Sequence, residues 1–94
     1  MEYAKKLVYL SNKWYNDGLK KANIRDLSGA VISLEKSLRY NRNNIASRNL
    51  LALIYYGRGE VAEALVEWVI SKNMKSQGNI ANYYIKKLQE ATGE

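Results

Sequence analysis

Residues 50–65 read LLALIYYGRGEVAEAL, and this stretch decides the fold. An almost wholly apolar run leads into Gly57 and Gly59, and a second run with helical spacing begins at Val61. Glycine suits the left-handed backbone conformation that commonly ends a helix. Apolar residues three and four positions apart, such as Val61 and Ala64, mark one face of a helix. The stretch therefore predicts two helices joined by a tight turn.

A common interval connects this stretch to the first half of the chain. The two members of four residue pairs are the same number of positions apart: Ala30 and Ala64, Leu34 and Trp68, Ser37 and Ser71, and Gly18 and Ala52. We call this interval the repeat period, and its length of about 34 residues is one at which helical hairpins recur. Such hairpins cannot bury their apolar faces alone, so they stack on neighbours.

Small residues are expected where the helices of such hairpins cross, because bulk there would push the axes apart. Ala30 and Ala64 are the candidates on one helix of each hairpin, and Gly18 and Ala52 would face them. Large residues are expected to fill the space beside the crossings, namely Trp14, Leu34, Tyr55 and Trp68.

The composition limits the class of protein. The chain has 94 residues, of which 47% are hydrophobic and 26% are charged, and it contains no Pro, His or Cys. These proportions favour one small globular domain over a disordered segment. Without His and Cys, the commonest general base and the Cys-based metal sites are excluded. Glu60, Glu63 and Glu67 lie at helical spacing, and we interpret them as a solvated face. We predict no enzyme activity, no cofactor and no metal.

The net charge of +6 is uneven along the chain. Residues 1–44 carry nine Lys and Arg against four Asp and Glu, whereas residues 45–94 carry six against five. We interpret most of these lysines as solvating outer helix faces. The alternative is nucleic-acid binding, in which basic and aromatic side chains track phosphates and stack bases. Its candidate residues are Lys5, Lys6, Lys13, Lys20, Lys21 and Arg25, with Tyr9 and Trp14.

Apolar periodicity predicts about five helices and an all-α fold, since no span alternates like a strand. The predicted helices cover about residues 2–22, 27–40, 45–56, 60–72 and 79–91. Asp26 and Asn44 are predicted N-caps. Short connections favour antiparallel neighbours. No uncharged run approaches the roughly 20 residues of a membrane span, and no targeting segment is visible, so we expect a cytoplasmic protein.

The chain at this point resembles the tetratricopeptide repeat family. Residues 45–78 match its motif most closely, at Leu51, Ala52, Tyr55, Gly59, Ala64, Trp68 and Ser71. This second repeat departs at Arg48 and Ser76, where the family has an aromatic residue and a proline. Residues 11–44 match less well, at Trp14, Gly18, Ala30, Leu34, Ser37 and Leu38. This first repeat departs at Asp17, Lys21, Arg25 and Arg42, so we expect a looser turn there.

The resemblance implies a right-handed α-α superhelix of antiparallel helix pairs. Residues 1–94 would form a single domain with two repeats. A helical extension would precede the first repeat, residues 11–44, and a C-terminal capping helix, residues 79–94, would follow the second, residues 45–78.

The resemblance also implies a scaffold that binds a peptide or protein segment in a concave groove lined by the first helix of each repeat. Carried onto this sequence, the lining residues are Asn12, Tyr15, Leu19, Asn23, Asn49, Leu53, Tyr56, Tyr83 and Lys87. A sub-group of the family grips a C-terminal carboxylate with Lys and Asn. Tyr15, Leu19 and Leu50 stand at those positions here, so that specificity is not expected. Self-association into a homodimer is the competing use, because arrays generally need about three repeats.

Overall fold

The computed structural model of the protein describes residues 2–93. It contains the helices α1 (Glu2–Asn23), α2 (Leu27–Tyr40), α3 (Ile45–Gly57), α4 (Val61–Met74) and α5 (Ile80–Ala91). No strand occurs in this part of the chain, so the predicted all-α fold with five helices is confirmed. The helices pack mainly against their neighbours along the chain, most extensively within the pairs α1–α2 and α3–α4. The observed helix bounds differ little from the predicted ones. In α4, for example, the helix continues to Met74 rather than ending at about residue 72.

Side-chain caps begin three of the helices. The Asp26 carboxylate accepts a hydrogen bond from the Gly29 amide at 3.0 Å, which confirms its predicted role at the start of α2. The Asn44 side chain caps α3 in the same way by accepting from the Ser47 amide at 3.1 Å. Asn79 begins α5. Such caps satisfy amides that have no partner inside the helix.

The first inter-helix turn has the same backbone geometry as the second. Arg25 lies in the left-handed region with φ 65°, and Gly59, one repeat period later, has φ 81°. The Asp26 and Glu60 amides each donate to the carbonyl five residues earlier at 2.8 Å. The expectation of a looser first turn is therefore wrong. The turn forms with arginine at this position despite the steric penalty that a Cβ brings to left-handed backbone.

Small residues lie where the helices cross, as the repeat period predicted. A Cβ at Gly18 would stand 2.8 Å from Leu34 Cγ and 3.4 Å from the Ala30 carbonyl oxygen. Ala52 and Ala64 are fully buried in one cluster with Trp68. The approach of α1 to α2 thus depends on the missing side chain at Gly18.

Two apolar clusters share one bridging residue. The cluster between α1, α2 and α3 contains Ala30, Leu34, Leu51 and Ile54. The cluster between α3, α4 and α5 contains Ala52, Ala64, Trp68, Ala81 and Ile85. Tyr55 packs against both, so the core is continuous along the stack. None of the described helices is both long enough and apolar enough to cross a membrane.

Trp14 does not fill the space beside a crossing in the way expected. It is half-buried, and the Lys36 ammonium lies 4.2 Å from the centroid of its ring. A cation over an indole face is attracted by the electron-rich ring. Trp14 therefore packs at the edge of the α1–α2 hairpin.

Candidate functional site

Four aromatic side chains from three helices meet on one side of the stack. Trp68 of α4 and Tyr84 of α5 stack face to face, with ring centroids 4.4 Å apart and planes 1° from parallel. Tyr56 of α3 lies tilted against both, at 5.7 Å from Trp68 and 6.0 Å from Tyr84. Tyr83 meets Tyr84 edge-on at 5.2 Å. We call Tyr56, Trp68, Tyr83 and Tyr84 the aromatic platform.

The platform is anchored at one end and open at the other. Trp68 is fully buried, whereas Tyr56 is 42% exposed and Tyr83 is 55% exposed. Leu53, one helical turn before Tyr56, is 43% exposed. Ring contacts of this kind contribute about 0.5–1.5 kcal/mol each beyond area burial. The exposed rings are therefore held in place by a buried neighbour before any partner arrives.

The platform has a positive charge at its edge. The Lys87 ammonium lies 5.6 Å from the centroid of the Tyr83 ring. Lys87 follows Tyr83 by one turn of α5, which puts the two side chains on the same face of the helix. A partner that covers this edge would meet one cation beside two exposed rings.

The structure brings the predicted groove residues of α3 and α5 together. Tyr56 and Tyr83 both contact Tyr84, Leu53 is exposed beside Tyr56, and Lys87 lies over Tyr83. The fifth predicted residue of this part, Asn49, has a different contact. Its amide nitrogen donates to the Asn79 side chain at 3.0 Å, which joins α3 to the cap of α5.

The Asn49 side-chain oxygen is buried and finds no hydrogen-bond partner among the described residues. An unpaired buried acceptor is unfavourable by about 1–3 kcal/mol. Asn49 therefore ties α3 to α5 through one end of its amide only.

The predicted groove residues of α1 form a separate group. The Asn12 side-chain oxygen accepts a hydrogen bond from the side-chain nitrogen of Asn44 (Nδ2) at 3.1 Å. Tyr15 packs against the cluster between α1, α2 and α3, and Leu19 is half-buried. Asn23 is exposed at the last residue of α1. Over residues 2–93, no hydrogen bond or ring contact joins this group to the aromatic platform.

A buried polar network between α1, α2 and α3 was missed by the sequence analysis. Ser11, Ser37 and Ser47 are all fully buried, and the Ser37 hydroxyl lies 3.0 Å from that of Ser11 and 2.6 Å from that of Ser47. The side-chain nitrogen of Asn44 (Nδ2) donates to the Ser11 hydroxyl at 2.9 Å. The same Asn44 caps α3, so the network links the cap to both neighbouring helices.

A smaller version of this network joins α4 to the cap of α5. Asn79 caps α5, and its amide nitrogen donates to the Ser71 hydroxyl at 2.8 Å. Ser71 lies one repeat period after Ser37, and both serines receive a hydrogen bond from an asparagine cap. That spacing was the available signal. A serine pair at the repeat period inside apolar helices indicates a structural contact that recurs.

Ion pairs occupy part of the carboxylate face of α4. Arg58 donates twice to the Glu60 carboxylate, at 3.0 and 2.6 Å. Arg48 pairs with Glu67 at 2.8 Å, and both side chains are largely buried. Arg48 stands where the family has an aromatic residue. An ion pair between α3 and α4 therefore replaces the expected aromatic packing.

Part of the positive charge in residues 1–44 is already paired with a carboxylate of the same chain. Hydrogen bonds from Lys21 and Ser33 hold the pKa of Asp17 below its ordinary value. The Lys21 ammonium is 2.8 Å from that carboxylate, so its charge is already partnered. A shallow cleft of about 480 Å³ lies along α1 and is bordered by Tyr9, Lys13, Lys20 and Asp17.

We compared the chain with protein-family models, curated proteins and solved structures, and found no match in any of the three. The resemblance to tetratricopeptide repeats therefore depends on the motif residues of the chain itself and stays a prediction.

Proposed function

We propose that the protein is a tetratricopeptide-like interaction scaffold that binds a segment of a partner protein across the first helices of its repeats. The observation that carries this proposal is the exposure of Leu53, Tyr56 and Tyr83 on an aromatic platform anchored by buried Trp68. Contiguous exposed apolar surface marks interaction sites in proteins of this size. Tyrosine is also enriched at interface centres and among their energetic hot spots.

The platform suits binding because its rings are already ordered. A tyrosine side chain has few rotatable bonds, so it loses little conformational entropy when a partner covers it. Tyr56 and Tyr83 are further restrained by their contacts with Tyr84. Ordering side chains at an interface otherwise costs about 0.5–1.5 kcal/mol each. The proposal is therefore of a rigid docking surface that needs little rearrangement.

The chemistry of the face suggests the partner segment. The exposed residues at its centre are aliphatic and aromatic, and Lys87 lies at its edge. A segment with apolar anchors and an acidic residue beside Lys87 would satisfy both features. Binding rather than catalysis is proposed, because what the face presents is apolar and aromatic contact area.

Nucleic-acid binding through the basic first half is the second candidate. The exposed ring of Tyr9 beside Lys13 and Lys20 favours it. Two contacts weaken it, since Lys36 already covers a face of Trp14 and Lys21 is paired with Asp17. We therefore give priority to the aromatic platform.

The proposal is tested by selecting peptides from a random display library on the immobilised wild-type protein. The affinity of the selected peptides is then measured by calorimetry for Tyr56→Ala, Tyr83→Ala and the control Tyr9→Ala. Tyr9 is 65% exposed on α1, so its truncation removes the same side chain from another surface. The two platform variants should each bind at least about tenfold more weakly, as expected of a hot-spot residue.

The control variant should bind like the wild type. Selected peptides that bind both platform variants with unchanged affinity would contradict the proposal. So would a selection that enriches only peptides sensitive to Tyr9→Ala.

A further inference from the structure

The turn geometry of the repeats occurs a third time, at the end of α5. Gly93 has φ 80°, matching φ 81° at Gly59 and φ 65° at Arg25, and successive members of this set are one repeat period apart. Each of their amides donates to the carbonyl three residues earlier, at 3.0, 3.0 and 3.2 Å in chain order. The helix α5 thus ends as the first helix of a repeat ends.

An apolar groove of about 330 Å³ runs between α4 and α5. Its α4 side is formed by Val61, Leu65 and Val69, and its α5 side includes Ile85 and Leu88. Val61, Leu65 and Val69 follow one another at four-residue intervals on one face of α4. They are 41%, 37% and 40% exposed, which is high for aliphatic side chains that share a helix face. The α4 side of the groove is therefore an apolar surface without a cover in the described chain, whereas Ile85 on the α5 side is buried.

Most of the equivalent surface of the first repeat is part of the core, the exception being the exposed Glu35 one repeat period before Val69. One repeat period before Val61 and Leu65 of the groove stand Leu27 and Val31, and Leu51 and Ile54 stand in the same relation to Ile85 and Leu88. All four earlier residues belong to, or pack against, the cluster between α1, α2 and α3. The groove between α4 and α5 therefore has the composition of a surface that is covered elsewhere in the same chain.

The centre of the outer side of α4 is uncharged as well as apolar. Val66, on the stripe next to Leu65, is 57% exposed. Glu67 is paired with Arg48, whereas the exposed Glu63 and Lys72 lie in the first and last turns of α4, and Lys72 follows Val69 by one turn on the same face. In a two-fold contact, residues near the axis approach their own counterparts, so a charged centre would repel itself. The uncharged centre of α4 avoids this repulsion.

The charge distribution of the whole chain also favours a contact between two copies through α4 and α5. Residues 1–44 carry nine of the fifteen basic residues, and residues 45–94 are close to neutral. Two copies that meet through α4 and α5 keep their basic halves apart. A contact through α1 would instead bring two strongly positive surfaces together.

We propose that two copies of this chain associate through the groove between α4 and α5, with the outer face of each α4 covering the groove of the other copy. This surface is distinct from the aromatic platform and does not depend on the proposed function.

The proposal is tested by sedimentation velocity from about 1 μM to about 1 mM protein, a range that covers weak and moderate affinities. The variant is Val69→Glu, and the control is Ile32→Glu on the outer side of α2. Glu35 already occupies the position one repeat period before Val69, so the fold accepts glutamate at this step. Ile32 is 60% exposed and gives the control the same change in charge.

We expect the wild type and Ile32→Glu to form dimers as concentration rises, while Val69→Glu stays monomeric with an unchanged circular dichroism spectrum. A wild type that is monomeric throughout would overturn the proposal, as would dimers of Val69→Glu. If Val69→Glu unfolds, spin labels decide the question. The chain has no native cysteine, so a label at Val66→Cys should lie close to its counterpart and one at Ile32→Cys should not. The reverse order of distances would contradict the interface.

The experiment also separates this proposal from the proposed function. Val69→Glu should still bind the peptides selected on the platform. If Tyr56→Ala abolishes the dimer and Val69→Glu does not, the copies meet through the platform, and the interface proposed between α4 and α5 is wrong.

Discussion

Trp68 and Tyr84 stack with ring centroids 4.4 Å apart and planes 1° from parallel. This contact joins the second helix of one repeat to the helix that follows it. The stack also contacts Tyr56 and Tyr83, so one pair holds the two exposed rings of the aromatic platform.

Tyr84→Ala should therefore weaken both the fold and the site. We expect the free energy of unfolding to fall by about 2–3 kcal/mol, below the range for a fully buried aromatic residue because Tyr84 is half-buried. Urea unfolding followed by circular dichroism measures this loss. Tyr84→Phe keeps the ring and should lose under about 1 kcal/mol. Equal losses for the two variants would show that the stack contributes little.

Arg25→Gly should stabilise the protein. Arg25 has φ 65°, a conformation that disfavours residues with a Cβ by about 1–2 kcal/mol. The gain is reduced by the greater freedom of glycine in the unfolded chain, so we expect a rise of about 0.5–1 kcal/mol in the free energy of unfolding. Thermal and urea unfolding measure it.

The matched variant reverses the exchange. Gly59 has φ 81°, and no atom outside its local chain lies within 4 Å of a Cβ built there. Gly59→Arg should therefore lower stability through backbone strain alone. If both variants change stability in the same direction, the turns are not equivalent.

The sequence was sufficient to predict the elements and the small residues at the crossings. Apolar periodicity placed the five helices, and short polar residues before apolar runs identified the caps Asp26 and Asn44. These features depend on local chain chemistry, so they can be predicted without tertiary contacts. Leu53 and Tyr56 are both exposed on α3, but their assignment to a binding groove stays a prediction.

The remaining features depend on contacts between distant residues. Arg25 suggested a looser turn, yet the turn keeps the geometry of the repeat. Only its stack on Trp68 shows that Tyr84 supports the platform. Only the fold reveals that Ser11 and Ser47 both face Ser37.

Ser37→Ala should destabilise the protein more than its small change in volume suggests. The Ser37 hydroxyl donates to the Ser11 carbonyl at 2.8 Å and is also within hydrogen-bond distance of the Ser11 and Ser47 hydroxyls. Its removal leaves buried polar groups without this partner, which costs about 1–3 kcal/mol. Ser28→Ala, on the exposed side of the same helix, should be within about 0.5 kcal/mol of the wild type. Urea unfolding of both variants tests this difference, and similar stabilities would mean that the network is energetically neutral.

Salt dependence should distinguish the two candidate functions. Phosphate contacts release counterions, so nucleic-acid affinity falls steeply with salt. Apolar contacts with the platform have no such dependence. We expect the affinity of a selected peptide to change less than about threefold between roughly 50 and 200 mM salt. Fluorescence anisotropy with labelled peptide and labelled single-stranded oligonucleotide measures both ligands on the same protein.

The double variant Lys13→Gln with Lys20→Gln completes this comparison. Both lysines border the cleft along α1 and lie on a different helix from the platform. Peptide affinity should be unchanged in the double variant, because within residues 2–93 no hydrogen bond or ring contact joins either lysine to Leu53, Tyr56 or Tyr83. Suppose instead that oligonucleotide binds tightly at roughly 200 mM salt, near the physiological range, and is lost in the double variant. The basic half would then be the functional surface, and the aromatic platform would have only a structural role.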